Sequence, residues 1–154
     1  MPFQHAAAAI VAAGRRMHAM GWVPATAGNF SCRLAEGAIA ITRSGCHKGF
    51  LTEADVIRVD AAGAPVDAGA RPSYETLLHC GIYRRFPGAG AVLHGHSVAN
   101  TVLSRRAGGS IRLAGYELLK AFPGGPTHDV AVGGPGGGNH PGIARKPAGP
   151  AAPG

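Results

Sequence analysis

The spacing of apolar and polar residues changes along the chain, from helical to strand-like and back. Residues 6–20 carry apolar side chains at helical intervals, whereas 38–42 and 56–59 are short apolar runs. Glu36-Gly37, after the first strand pattern, is a hairpin turn signal. The pattern predicts helices over 6–20, 74–86 and 116–122, and a helix capped by Ser97 that runs through Leu103. Strands are predicted over 38–42, 56–59, 90–93 and 111–113, and 26–34 is predicted to be a small-residue turn followed by a strand. This alternation is typical of an α/β fold, and the hairpin indicates that part of the sheet is antiparallel.

Two local signals predict where these elements begin. Thr52 followed three residues later by Asp55 has the spacing of a capped turn. Pro72-Ser73 precedes the helix predicted over 74–86, so Ser73 is predicted to be its N-cap. The buried side of that helix is predicted to consist of its large apolar residues, Leu77, Leu78, Ile82 and Phe86.

Two histidines follow the apolar run 91–93, which is predicted to be a buried strand. His94 and His96 are separated by one residue, and side chains at i and i+2 of an extended backbone point to the same face. Neutral imidazole is a common ligand for zinc and similar metals, so the pair is a candidate metal site. The alternative is a pair of polar residues at the end of a strand.

Two further stretches carry candidate chemistry. Residues 43–49 form a small-residue loop with Ser44, Gly45 and Lys48, and such loops can offer backbone N–H groups and a cation to a phosphate. An ordinary Ser-Gly turn is the alternative. Glu75 lies at the start of the helix over 74–86, where it either complements the helix dipole or serves as a catalytic carboxylate.

Composition narrows the class of protein. The formal net charge of +7 fits nucleic acid or a small phosphorylated substrate, but the basic residues are scattered rather than interleaved with aromatics. Three widely spaced cysteines without a CxxC pair favour a reducing, cytoplasmic setting. No run approaches the roughly 18 apolar residues of a membrane span, so a membrane is not the expected partner. Nucleic acid is not expected either, because the basic residues form no run interleaved with aromatics.

Several motifs occur together in a specific order and spacing. They are TAGNFS at 26–31, TRSG at 42–45, RPSYE at 71–75 and HGH at 94–96. Jointly they resemble the class II (zinc-dependent) aldolases and their relatives. Within that superfamily, SGCHKG at 44–49, ETLLH at 75–79, HSVANTVLS at 96–104 and GYELLKA at 115–121 are most similar to the methylthioribulose-1-phosphate dehydratases of methionine salvage. The resemblance runs from about residue 5 to about Val132.

The resemblance implies a three-layer αβα domain around a mainly antiparallel sheet. It also implies one zinc ion per subunit and a homo-oligomer, expected to be a homotetramer, with active sites near subunit interfaces. His94 and His96 match two of the three zinc-binding histidines, and Glu75 matches the catalytic acid/base. Residues matching the loops that hold the substrate phosphate are Gly28, Asn29, Ser44, Gly45 and Ser73, with Lys48 as an additional candidate.

The implied reaction removes water from 5-methylthioribulose 1-phosphate to give 2,3-diketo-5-methylthiopentyl 1-phosphate. Loss of the C3 proton leaves an enediolate-like charge that zinc can stabilise. Glu75 can move the protons, a role in which a carboxylate works best when burial raises its pKa towards neutrality. Alternatives are a sugar-phosphate aldolase or epimerase on the same scaffold, or a non-catalytic remnant that binds sugar phosphates or partners. A basic nucleic-acid binder is the last alternative.

The sequence departs from the family in its last part. The family's third zinc histidine lies beyond the match, where this chain is rich in glycine and proline. His79 is predicted to be structural, and neither His128 nor His140 matches the ligand position. We therefore expect a truncated or frame-disrupted catalytic domain over 1–123 and a disordered or aberrant tail over 124–154. Zinc binding is expected to be weak or absent, and activity reduced or absent.

Overall fold

The structure, a computed structural model, describes residues 1–105, 110–114 and 127–131. The helices are α1 (Phe3–Ala19), α2 (Thr76–Arg85) and α3 (Val98–Ser104). The strands are β1 (Asn29–Arg33), β2 (Ile39–Thr42), β3 (Val56–Val59), β4 (Ala91–His94), β5 (Ser110–Ala114) and β6 (Thr127–Ala131). Two compact units divide the chain, Met1–Val98 and Ala99–Gly154, and every predicted site residue lies in the first.

The first unit is built on a four-stranded sheet in the order β3-β2-β1-β4. All three strand pairs are antiparallel, with Ser31 opposite Ile41 on β2 and Asn29 opposite His94 on β4. Gly37 adopts a φ of 88° in the β1–β2 hairpin, a left-handed conformation that glycine reaches without steric cost. The antiparallel hairpin predicted from the sequence is confirmed.

Helices cover the two faces of this sheet. Side chains alternate across a strand, so neighbouring residues enter different cores. Phe30 and Cys32 of β1 pack with Ile10 of α1, whereas Ile41 of β2 packs with Tyr83 of α2. The arrangement is helix, sheet, helix, which confirms the predicted α/β class and its three layers.

A close helix-to-loop contact fixes α1 against the 3-10 turn Lys48–Phe50. A Cβ atom built on Gly14 would lie 2.6 Å from the carbonyl oxygen of Lys48 and 2.7 Å from Cδ1 of Leu51. Contacts this short do not occur between real atoms, so the packing requires glycine at this position. Gly14 has a low helix propensity, but at this position it lets α1 approach the loop closely.

The buried side of α2 differs from the prediction. Leu77 is 66% exposed and Phe86 is exposed as well, while Leu78 and Ile82 are only half-buried. The side chains that α2 buries are instead Thr76, His79, Cys80 and Tyr83. Apolar character alone predicted the wrong buried face for α2, because the inner face of this helix lies over polar residues of β1.

The start of α2 is also shifted. Its first residue is Thr76 and its N-cap position is Glu75, so the prediction of Ser73 as N-cap is wrong. Ser73 contributes through its Oγ, which accepts a hydrogen bond from the Glu75 amide at 3.4 Å. A carboxylate at a helix N-terminus lies near the positive end of the helix dipole.

Strand β4 is formed as predicted but is not buried. Leu93 is 54% exposed and Ala91 is exposed, whereas Val92 and His94 on the other face are half-buried. The strand lies at the end of the sheet, with β1 as its one neighbour among the described residues. A purely apolar run does not distinguish a central strand from an edge strand.

Other sequence predictions are confirmed. Thr52 and Asp55 form the reciprocal capping pair, β3 spans the predicted residues, and β5 includes the predicted strand 111–113. Strand β6 pairs with β5 and lies within the segment predicted to be a disordered or aberrant tail. The helix predicted over 116–122, the domain boundary after 123, His140 and the rest of the tail lie outside the described residues.

Candidate active site

The candidate site forms where three elements of the first unit meet. Asn29 begins β1, Glu75 caps α2, and His94 ends β4. The antiparallel register places Asn29 directly opposite His94. Nδ2 of Asn29 donates a hydrogen bond to Oε2 of Glu75, and Nδ1 of His94 bonds to the same oxygen. Three residues distant in sequence therefore meet at one carboxylate oxygen.

His94 and His96 lie side by side at the end of β4. Their ring centroids are 4.6 Å apart with the planes tilted by 44°, in agreement with the same-face expectation. The backbone between them is fixed, since the His96 amide donates to the Trp22 carbonyl at 2.6 Å. A Cβ on Gly95 would lie 2.6 Å from Cε of Met17, so a larger residue there would require the Met17 side chain to move.

Behind the carboxylate, a buried row of polar side chains joins β1 to α2. Oδ1 of Asn29 bonds to Nε2 of His79, and Nδ1 of His79 lies 2.6 Å from Oγ of Ser31. Ser31 Oγ in turn lies 2.8 Å from the Tyr83 hydroxyl. All four side chains are buried, and His79 is 0% exposed. Each buried polar group in this row thus has a partner, as buried polar groups require.

Electrostatics divide the site into a neutral and an anionic part. Burial lowers the pKa of His79 to about 4, so the ring is neutral near pH 7. Burial alone raises the pKa of Glu75, but the hydrogen bond from Asn29 and the adjacent His94 outweigh it and leave that pKa below its ordinary value. These residues alone therefore do not give Glu75 the pKa near neutrality at which a general acid/base works best.

The segments predicted to hold phosphate differ in how they contact this centre. Gly28 has a φ of 77°, and a Cβ there would lie 2.6 Å from the His94 carbonyl oxygen, so the turn before Asn29 packs directly on the histidine strand. The Ser44 amide donates to the Arg71 carbonyl at 2.9 Å. That bond brings the Ser44-Gly45 turn beside the segment leading to Ser73.

Lys48 lies inside the loops rather than at their surface. It is 2% exposed, and Nζ donates to the carbonyls of Thr26 at 2.9 Å and Cys46 at 2.6 Å. Burial lowers its pKa. This geometry favours a role in joining the two loops over direct contact with a phosphate.

Comparisons with known proteins show the family of the chain. Residues 8–136 match the family described as Class II Aldolase and Adducin N-terminal domain. The chain belongs to this family. A relative from Gluconacetobacter diazotrophicus named methylthioribulose-1-phosphate dehydratase is 61% identical over 132 residues, covering 85% of this chain and 64% of the relative. One of the same name from Methylococcus capsulatus is 56% identical, covering 84% of this chain and 63% of the relative.

Solved structures of the family share the fold. YgbL from Klebsiella pneumoniae, described as a putative aldolase/epimerase/decarboxylase, has a TM-score of 0.66 and 30% identity, covering 70% of this chain and 52% of its own. An l-fuculose-1-phosphate aldolase from Thermus thermophilus has a TM-score of 0.62 and 37% identity, covering 73% and 57%. The chain spans less than two thirds of the length of these relatives.

The predicted metal ligands His94 and His96 are imidazoles, of the kind that zinc and similar metals bind. Because Nδ1 of His94 faces the Glu75 carboxylate, its Nε2 is the ring nitrogen suited to a metal, the arrangement in which a carboxylate orients a ligating imidazole. His96 offers a second imidazole beside it. The described residues contain no cluster of three or more potential metal-binding side chains, so a third ligand is not among them.

The structure brings together some of the predicted site residues and separates others. Asn29, Glu75, His94 and His96 form one cluster, with Gly28 packed against it. A shallow groove of about 570 Å³ includes Ser44 but none of that cluster. We place the candidate site at the cluster, because the convergent polar side chains lie there rather than in the groove.

Sequence reasoning misses the row behind Glu75. It gives His79 a structural role and singles out neither Ser31 nor Tyr83. A signal for them exists, because 75, 79 and 83 repeat at i+4 along one helix face. Asn29 and Ser31 likewise share one face of a strand. Two polar stripes with matching periods indicate a buried polar contact between the elements.

Proposed function

We propose that this site dehydrates 5-methylthioribulose 1-phosphate to 2,3-diketo-5-methylthiopentyl 1-phosphate, a step of methionine salvage. The observation that carries the proposal is the contact of Glu75 with His94, beside His96, in a chain 56–61% identical to relatives named for this activity. A proton-transfer group next to a pair of imidazole ligands is the minimum that the chemistry needs.

The protein's own residues would carry the proton transfers. Glu75 is ionised near neutral pH and can accept the proton from C3, next to the C2 carbonyl. The same carboxyl group would then give that proton to the C4 hydroxyl, which leaves as water. The resulting enol rearranges to the 2,3-diketone, so the net change is the loss of one water molecule.

His94 and His96 are the residues proposed to hold a divalent metal, with zinc as the specific choice. A metal bound there supplies Lewis acidity towards the oxygens of the substrate. Because the described residues offer two imidazoles, we expect weak binding that requires zinc in excess.

The surrounding loops are proposed to hold the substrate phosphate. Gly28-Asn29 and Ser73 lie beside Glu75 and His94, and the Ser44 amide joins Ser44-Gly45 to Arg71, two residues before Ser73. Such small-residue turns can offer backbone amides and hydroxyls to a phosphate. The side-chain amide of Asn29 is already bonded to Glu75 and His79, so its share of phosphate binding would fall to the backbone. Lys48 would act by holding the loops together.

A homotetramer in the cytoplasm is proposed for the assembly and its location. Exposed apolar side chains support association, since Val98 is 75% exposed and Leu77, Leu93 and Val102 are exposed as well. Cys32, Cys46 and Cys80 are all free thiols, as expected in a reducing compartment. No helix among the described residues has the length and apolar character to span a membrane.

A direct assay tests the proposal. The purified chain is incubated with 5-methylthioribulose 1-phosphate and a series of zinc concentrations, and the product is followed by mass spectrometry. We expect a product lighter than the substrate by one water, at a rate that rises with zinc and falls in Glu75→Gln. Folded protein that forms no such product at saturating zinc would contradict the proposal.

A sugar-phosphate aldolase is the second candidate, favoured by the likeness to the Thermus l-fuculose-1-phosphate aldolase. The same incubation distinguishes the two, because retro-aldol cleavage yields two smaller carbonyl compounds, one of them a phosphorylated ketone such as dihydroxyacetone phosphate. Substrate binding without either product would instead support a non-catalytic binding protein.

A further inference from the structure

The polar row behind Glu75 has one consistent direction of donation. Nδ2 of Asn29 donates to Oε2 of Glu75, so the amide turns its NH₂ group towards the carboxylate. The Oδ1 atom of Asn29 then faces His79, and an amide oxygen can only accept. His79 must therefore carry its proton on Nε2.

The direction continues to the far side of the row. A neutral His79 protonated on Nε2 has a bare Nδ1, which requires Ser31 to donate its hydroxyl proton there. Ser31 Oγ can then accept from the Tyr83 hydroxyl. Every donor in the row points towards Glu75, and aligned hydrogen bonds of this kind polarise one another.

We propose that Tyr83, Ser31, His79 and Asn29 form a directed hydrogen-bond chain that positions the Glu75 carboxylate for proton transfer. The chain holds Oε2 as an acceptor, and within the described residues no hydrogen bond reaches Oε1. Oε1 is thereby left for the substrate proton. The four residues are positioning residues, and the consequence for turnover rests on the proposed function.

Among the described residues, His79 is the one that connects Asn29 to the buried hydroxyls of Ser31 and Tyr83, so substitutions at position 79 test the hydrogen-bond chain. The amide of a glutamine at this position reaches about as far as Nε2 and can donate to Asn29. The amide of an asparagine reaches only as far as Nδ1 and can bond Ser31 but not Asn29. His79→Gln and His79→Asn are therefore a matched pair that keeps or cuts the link to Glu75.

Two readouts test the proposal. Nitrogen-edited NMR of the histidine rings in the 154-residue protein reports the tautomer of His79, and we expect Nε2–H near neutral pH. In steady-state assays at saturating zinc, we expect His79→Asn to lower kcat by about 10- to 100-fold with KM little changed, the size typical of losing an orienting partner. His79→Gln should retain most of the wild-type kcat.

The readouts also separate this proposal from the proposed function. An Nδ1–H tautomer of His79 would overturn the proposed hydrogen-bond chain whether or not the protein turns over substrate. Equal kcat values for folded His79→Asn and wild type would overturn it too, as would equal losses in the two variants. Wild-type protein that shows the Nε2–H tautomer but no activity would contradict the proposed dehydratase function and still support the hydrogen-bond chain. Cys80→Ala, a buried neighbour outside the chain, controls for loss of packing on α2.

Discussion

Two neighbouring strands, β1 and β4, supply the two sides of the candidate site and differ in how they are supported. Asn29 and Ser31 of β1 are buried between α2 and the sheet, with Phe30 in the opposite core. His94 of β4 is paired to Asn29, yet Leu93 beside it is 54% exposed. The carboxylate side of the site is therefore fixed by the core, whereas the imidazole side rests on an exposed strand.

Substitutions on the two strands should therefore have different effects. A change on β1 disturbs packing and hydrogen bonds at once, because buried groups have no water to replace a lost partner. A change on β4 disturbs fewer contacts and should act mainly on metal binding.

Removal of the Glu75 charge should have the largest effect. Glu75→Gln keeps the size of the side chain but cannot accept the C3 proton, and we expect kcat to fall by about 10²- to 10⁴-fold, the usual contribution of a general acid/base. Steady-state assay at saturating zinc measures this. Glu53→Gln, at an exposed carboxylate, is the matched control and should retain wild-type kcat. A Glu75→Gln variant with undiminished kcat would remove Glu75 from the mechanism.

The paired residues Phe30 and Leu93 test the contrast in stability directly. They lie opposite each other on β1 and β4, but Phe30 is 0% exposed. We expect Phe30→Ala to lower the free energy of unfolding by about 3–5 kcal/mol. Leu93→Ala should cost about 1 kcal/mol or less, since over half of its side chain remains in water. Urea titration of both variants provides the measurement, and similar losses would show that β4 is as well supported as β1.

The double substitution His94→Ala with His96→Ala should separate metal binding from stability. It removes both proposed ligands, so we expect bound zinc to disappear from the protein by elemental analysis after dialysis. The free energy of unfolding without metal should fall by only about 1 kcal/mol, the net value of the lost hydrogen bond to Glu75. His5→Ala, an exposed histidine on α1, is the control. Zinc retained by the double variant would place the metal elsewhere.

Asp55 tests the opposite edge of the sheet, where β3 begins. Its burial raises its pKa, but hydrogen bonds from Thr52 and Arg43 prevail and lower that pKa from 3.8 to about 2. A lowered pKa stabilises the fold above pH 3.8, and this contribution disappears as the pH falls towards 2. Allowing for solvent screening, we expect Asp55→Asn to cost about 1 kcal/mol at pH 7. Urea titrations at pH 7 and pH 2.5 should show the difference from wild type shrinking, and a constant difference would contradict the assignment.

Local sequence patterns predicted much of the fold. Strand β3 has the predicted bounds, and the Thr52–Asp55 cap forms as expected, because both depend on neighbours within a few residues. The buried face of α2 was not predicted, since which face is buried depends on β1, which lies far away in sequence. The exposure of Leu93 likewise depends on the position of β4 within the sheet.

The candidate site shows the same limit. Spacing alone predicted that His94 and His96 share a face, and they do. The contact between Asn29 and Glu75 joins residues 46 positions apart, and only the sheet register together with the start of α2 creates it. The roles of the phosphate-loop residues stay predictions.

The buried ammonium of Lys48 has a consequence for motion. It bonds the carbonyls of Thr26 and Cys46, so opening either loop would leave a charge inside the protein without a partner. These loops should therefore not open separately from the core, unlike most surface loops. In hydrogen exchange, the amides of Ala27 and Phe50, each bonded within these loops, should exchange at rates close to that of global unfolding. The walls of the site would then be rigid before any substrate arrives.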